Sequence, residues 1–320
     1  MSTVDLAVPP AVRTSSENLV TRATSDTLIV EPAAPVASAS RRVGLLPVVI
    51  TLIGVVLCGF ALDVLAFGAL KHRHDQSVGY AKLREQLATA VAPVSSIGAD
   101  GHALALGTPL ALLEVKRLGL REVVREGTTS GVLRSGPGHE RDTVLPGQAG
   151  LTEIFGRRIG YGGPFRSLAS LAVGDEITTT TGQGVAHYRV TEVRHGAAGH
   201  AVVSTQQPAL LTLTTSDGSV WLPSGVTRVD AVLVGKAFPT PAAHVASSSF
   251  PESERPLAGD SGALVPLLLL SELGLVAAFG FVWARSRWGP RQAWIAGIPV
   301  LLALGLATAD QAARLLPNLL

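Results

Sequence analysis

"LTLTTSDG", Leu211 to Gly218, alternates apolar and hydroxyl-bearing residues and then breaks at Ser-Asp-Gly. Successive side chains of a strand point to opposite faces. In the longer run "ALLTLTTS", Leu211, Leu213 and Thr215 therefore share one face, and Thr212, Thr214 and Ser216 share the other. One face suits a core and the other suits the lining of a cleft. Asp217 is placed to cap the turn that follows. Upstream, "EITTTTGQGVAHYRVTEV" reads as a hairpin around Gly182-Gln183-Gly184, with Asp175 and Glu176 at its turn and strand start. From about Leu110 to Gly235 the chain is a series of such strand-length runs separated by glycine turns. That pattern gives an all-β unit, a sandwich or a closed barrel, and periodicity alone does not choose between them.

The flanks are different in kind. The chain has 320 residues, 47% hydrophobic and only 16% charged, which points to membrane spans. A net charge of +2, with no basic patch interleaved with aromatics, gives no argument for a nucleic-acid partner. Residues 1–42 are rich in Ala, Ser, Thr, Val and Pro without a period, and read as a disordered cytoplasmic tail. Between Val43 and Leu70 the only charge is Asp63, so residues 43–70 read as a first transmembrane helix, an uncleaved signal anchor. Residues 71–109 form a stalk in which Leu83, Leu87 and Val91 fall at helical spacing within Tyr80–Val94. Residues 110–235 are the β unit, and residues 236–260 a Pro/Ser/Ala linker returning to the membrane.

Two further spans are expected, at 261–284 and 292–310. The loop between them, 285–291, carries Arg285, Arg287 and Arg291, with Trp283, Trp288 and Trp294 around it. Short basic loops stay cytoplasmic. The expected topology thus has three spans, a cytoplasmic N-terminus, residues 71–260 outside the plasma membrane, and a short outer tail at 311–320. Glu272 lies near the middle of its span with no Lys or Arg in any span to pair with. An acid at that depth marks a contact with a partner helix, or else a protonated side chain bonded to Ser271 or to backbone. Asp63 and Asp310 fall near the outer ends of their spans, where headgroup-level placement accounts for them without a partner.

Several motifs within the β unit carry a family resemblance. "LLEVKRLGLREVVREGTTSGVLRSGPGHERDTVLPGQAG", "GRRIGYGGPFRSLASLAVGDEI" and "LTLTTSDG" occur in the order in which sortases carry their opening strands, their "GPGH…T.LPG..G" turn, their "GHR…GAPF..L..L..GD.I" segment and their "LTLTTCDP" strand. The domain resembles the sortases, cell-wall transpeptidases of Gram-positive bacteria, most nearly the actinobacterial housekeeping type of classes E and D. The resemblance implies an eight-stranded β-barrel outside the membrane. It also implies cleavage of a C-terminal LPxTG-type sorting motif, by attack of a cysteine thiolate on the Thr–Gly carbonyl. A histidine would manage protons, and an arginine would steady the thiolate or the oxyanion.

Carried over residue by residue, two of those three groups change. Arg157 stands at the histidine position and Ser216 at the cysteine position, while Arg228 on the following strand matches the arginine. The one cysteine of the chain, Cys58, lies inside the first apolar run. A serine hydroxyl attacks only after a base takes its proton, and arginine stays protonated at any working pH. His102, His139, His187, His195 and His200 read as surface or turn residues rather than as a relocated base. No His/Asp/Glu group has metal-ligand spacing, and no cofactor is implied. What remains is a cationic cleft near Arg157, Arg158, Ser216 and Arg228 for a sorting-signal peptide or a cell-envelope protein. Alternatively, the arginines pair with nearby carboxylates such as Glu153 and Asp217. Three readings stay open: a pseudo-sortase that binds without cutting, a transpeptidase or hydrolase using Ser216 in a rearranged site, and a structural membrane subunit with a vestigial barrel.

Overall fold

The computed structural model describes residues 60, 66–98, 100–196, 209–219, 223–241, 260–316 and 318–319. The expected tail at 1–42, most of the first span and most of the linker at 236–260 lie outside those residues, as do Asp63 and His200.

Eight strands close into a barrel in the order β1-β2-β3-β4-β7-β8-β6-β5, which resolves the choice between sandwich and barrel. The strands are β1 (Pro109–Val115), β2 (Leu120–Glu126), β3 (Gly138–His139), β4 (Gly150–Phe155), β5 (Glu176–Thr181), β6 (Gly184–Gly196), β7 (Ala209–Gly218) and β8 (Pro223–Val234). The β5–β6 hairpin turns at Gly182-Gln183, with Thr181 opposite Gly184, where the sequence places it. β7 pairs antiparallel with β8 and parallel with β4. Parallel pairs need a crossover connection. The chain between β4 and β7 supplies one, and it carries the loop that holds Arg157 and Arg158.

The alternation of β7 divides inside from outside. Leu211 and Leu213 sit in the barrel core with Leu110, Ile154, Phe165, Ile177, Tyr188 and Val229. Thr212, Thr214 and Ser216 face the other way, onto polar partners. Two glycines make close approaches possible. A Cβ on Gly138 would overlap the Gly127 carbonyl, and one on Gly156 would strike the Phe165 ring, so both chain crossings need the missing side chain.

The stalk helix, α1, runs Gly68–Ala88, longer than the expected stretch and starting well before it. Leu83 is buried against Leu112 and Val123, with Tyr80 and Leu87 partly buried beside it. Val91 falls beyond the helix and is exposed, contrary to the expected apolar face. The early turns of α1 are fixed by polar contacts instead. Gln76 donates to the carbonyls of Val123 (3.2 Å) and Ser135 (2.8 Å) and accepts from the Val123 N–H at 2.6 Å. His72 pairs with Glu122 at 3.0 Å. A short helix, α2 (Ser130–Ser135), is capped by the Thr129 hydroxyl on the Val132 N–H.

Two helices follow, α3 (Leu264–Arg287) and α4 (Pro290–Arg314). Both are long and apolar enough to cross a membrane, over Ser261–Phe281 and Arg291–Arg314. They pack as an antiparallel pair, with Phe281 edge-on to Trp294 (centroids 5.1 Å apart) and Trp283 edge-on to Trp288 (6.3 Å). Only Trp288 and Gly289 separate the helices, so most of the loop expected at 285–291 is helical. At the opposite end the pair meets the barrel. Arg134 of α2 is buried and ion-paired with Asp310 of α4. Ala313 packs on Tyr161, and the Asp260 N–H donates to the Arg314 carbonyl at 2.9 Å. The expectation that Asp310 needs no partner is thereby corrected. Its partner is a barrel arginine, because the end of α4 is pressed against the barrel rather than facing headgroups alone. Glu272 lies on the exposed surface of α3, while the Ser271 hydroxyl bonds back to the Leu267 carbonyl at 2.7 Å.

Candidate functional site

Ser216 is the last residue of β7 before the turn on the face that Thr212 and Thr214 share, and it is buried. Asp217 caps that turn, accepting from the Gly218 N–H at 2.8 Å. The Ser216 hydroxyl donates to the backbone carbonyl of Leu319 at 2.9 Å. The Arg158 N–H donates to the same carbonyl at 3.1 Å. Two donors therefore converge on one peptide oxygen. The Leu319 side chain is fully buried among Leu133, Phe155 and Val226, and Asn318 is buried as well. Of the short outer tail expected at 311–320, residues 311–314 are the end of α4, and Asn318 and Leu319 are buried against the barrel.

The three arginines have distinct surroundings. Arg157 follows Gly156 in the loop after β4, and its guanidinium donates to the Ser130 hydroxyl at 2.9 Å. It lies over the Tyr161 ring at 5.3 Å, which Arg134 also covers at 4.4 Å. Burial pushes Arg157 down to about 10, and the like charge of Arg134 acts in the same direction. It therefore remains a cation at neutral pH. The hydroxyl it bonds belongs to α2, the helix whose Arg134 pairs with α4. Arg158 keeps its backbone at the Leu319 carbonyl and sends its side chain to the Gly218 carbonyl at 2.9 Å.

Arg228 of β8 lies opposite Thr214 and 3.6 Å from the fully buried Glu153 of β4. The Thr214 hydroxyl donates to the same carboxylate at 3.0 Å. Glu140 stands beside Glu153, and burial, with the neighbouring charges of Glu153 and Asp142, pushes its carboxyl up to about 9. Arg228 is thus engaged by carboxylates, the alternative that the sequence left open for Glu153. Asp217 takes a different partner, His195, at 2.8 Å. Burial opposes ionisation of Asp217, but the Gly218 N–H, His195 and Arg158 outweigh it and hold its carboxyl below the usual range.

The histidines resolve one by one. His139 is not a surface residue. It is completely buried, pairing with Glu126 at 3.0 Å and reaching the Val144 carbonyl at 3.0 Å. Its neighbour in sequence, Glu140, gave no sign of this burial, because β3 is only two residues long and its pairings are distant in sequence. His187 is exposed on β6, and His102 is exposed beside Asp100. His195 lies across β8 from β7 and bonds Asp217 and Thr227, whose neighbours Ser216 and Val226 point to the opposite face. Among the described residues no histidine bonds the Ser216 hydroxyl. The sequence also gave no signal for Ser130, Tyr161, Leu133, Phe155 or Leu319 as site residues, because each reaches the cleft through tertiary contact.

The sortase domain model matches residues 113–222. Sortase E from Streptomyces avermitilis is 30% identical, over 48% of this chain and 100% of that one, with a TM-score of 0.37. This chain belongs to the sortase family. A sortase D5 transpeptidase from Clostridium perfringens is 22% identical over 51% of this chain and 99% of that one, with a TM-score of 0.41. Among curated proteins none matches the sequence. The sortases are a transpeptidase family that acts on sorting-signal proteins. Of the three positions that the resemblance sets against the family's reacting groups, Arg157, Ser216 and Arg228, it is Ser216 whose hydroxyl touches a peptide carbonyl.

Proposed function

We propose that this sortase-family protein is a pseudo-sortase: it binds an extended peptide, or a segment of a cell-envelope protein, without cutting it. The α3–α4 pair would cross the plasma membrane with the barrel outside and the basic loop inside. The observation that carries the reading is the direction of one hydrogen bond. The Ser216 hydroxyl gives its proton to a peptide carbonyl, at 2.9 Å, and has no imidazole partner among the described residues to take that proton away. A nucleophile needs the reverse arrangement. The Ser216 hydroxyl and the Arg158 N–H together hold a carbonyl as a ligand, in its ground state.

The test is turnover. The full chain in detergent is incubated with a fluorogenic LPxTG-type peptide and an amine acceptor, and intact mass is followed. The expected result is no cleavage above buffer and no acyl adduct on Ser216. Ser216→Cys combined with Arg157→His is expected to bring back measurable cleavage. Cleavage by the unaltered chain that disappears in Ser216→Ala overturns the proposal and installs the serine enzyme in its place.

A further inference from the structure

The occupant of the cleft belongs to the chain itself. α4 ends at Arg314, and within a few residues the chain has turned into the barrel and buried Asn318 and Leu319. The segment is held at both ends. Upstream, Asp310 is paired with buried Arg134, and Arg314 accepts from the Asp260 N–H at 2.9 Å. Downstream, the Leu319 carbonyl takes two hydrogen bonds and its side chain fills the seat made by Leu133, Phe155 and Val226. A chance contact buries little and leaves polar groups to water. Here one apolar side chain and one carbonyl are each satisfied by residues from separate elements of the barrel: α2, β4, β7, β8 and the loop after β4.

We propose that Asn318 and Leu319 form a tethered self-ligand, which closes the peptide cleft in cis and must leave before a peptide in trans can enter. The inference rests on the reading of the cleft as a peptide site and adds its resident occupant and the form of its ligand. The segment reads Leu316-Pro317-Asn318-Leu319, so the clamped carbonyl belongs to the second residue after a Leu-Pro pair. The ligand class is therefore a Leu-Pro-x-aliphatic peptide, turned at its last two residues as Asn318 and Leu319 are. A short tether keeps such a segment at an effective concentration on the order of millimolar. A free peptide making the same contacts competes against that value.

The experiment uses the full chain in detergent, with Leu319→Asp and Leu319→Ala. Leu319→Asp puts a charge into an apolar seat and, lying outside the eight strands, leaves their pairing intact. Two readouts are taken: amide hydrogen exchange at Arg158, and binding of a fluorescent Leu-Leu-Pro-Asn-Leu peptide. In the unaltered chain the Arg158 amide is protected and the peptide binds weakly. In Leu319→Asp, exchange at Arg158 becomes roughly tenfold faster or more. The peptide then binds roughly tenfold more tightly, as expected when a tethered competitor is removed. Leu319→Ala falls between. Equal exchange at Arg158 in all chains overturns the self-ligand, as does equal peptide affinity where binding is measurable. Faster exchange in Leu319→Asp without peptide binding by any chain upholds the self-ligand and removes the reading of the cleft as a site for peptides in trans.

Discussion

The two faces of β7 hold the barrel together by different physics. On the inner face, Leu211 and Leu213 are fully buried against other apolar side chains, and nothing about their surroundings depends on pH or on a ligand. On the outer face, each hydroxyl has one designated acceptor. Thr212 donates to Asp230 at 2.7 Å, Thr214 to Glu153 at 3.0 Å, and Ser216 to Leu319 at 2.9 Å. Moving along that face toward the turn, the acceptor changes from a carboxylate to a peptide carbonyl. The outer face is equally buried, but only because other elements cover it. The inner face accounts for why the barrel forms, and the outer face accounts for what it can hold.

The sharpest test of this contrast is Leu213→Ala. Truncating a fully buried leucine leaves a cavity and is expected to cost about 3 kcal/mol, read as a lower midpoint in denaturant titration of the full chain. A loss below about 1 kcal/mol would mean that β7 is not anchored through its inner face. Next comes pH. The Glu140 carboxyl is held up to about 9 in the fold, so as pH rises the unfolded chain gives up this proton first. The fold therefore loses stability progressively from the ordinary carboxylate range up to about 9, with a ceiling of ~1.4 kcal/mol per pH unit, and none of that loss is present in acid. Glu140→Gln is expected to flatten the fall of the melting temperature between pH 5 and 8, to about a third of the unaltered slope or less. An unchanged slope would remove the acidic pair as its source. The smallest effect belongs to Thr214→Val, which keeps shape and deletes the donor to Glu153. It is expected to cost about 1.5 kcal/mol in the same titration.

Much of the barrel was legible, and for local reasons. The β5–β6 hairpin is announced by two short strands around Gly182-Gln183, and the facing of Leu211, Leu213, Thr212 and Thr214 follows from a period of two. The early part of α1 was not legible because its register is set by Gln76 and His72 on β2, not by an apolar stripe. His139 was misread because two-residue β3 carries no periodic signal, and its burial depends on β2 and β4. At the site, the substitutions Arg157 and Ser216 were visible in the sequence, but their partners were not. Ser130 lies 27 residues from Arg157 and Leu319 lies 103 from Ser216, separations at which only the folded barrel brings groups together. Asp310 looked self-sufficient for the same reason: its counterion, Arg134, lies 176 residues away.

The junction between α4 and the barrel gives the molecule a mechanical property. Asp310 and Ala313 grip the barrel through Arg134 and Tyr161, and Leu319 is buried among Leu133, Phe155 and Val226. A rotation or tilt of the final turns of α4 acts on Arg134 and Tyr161 together. The apolar helix pair is thus joined to the barrel by an ion pair and an apolar contact that lie within one turn of each other on α4.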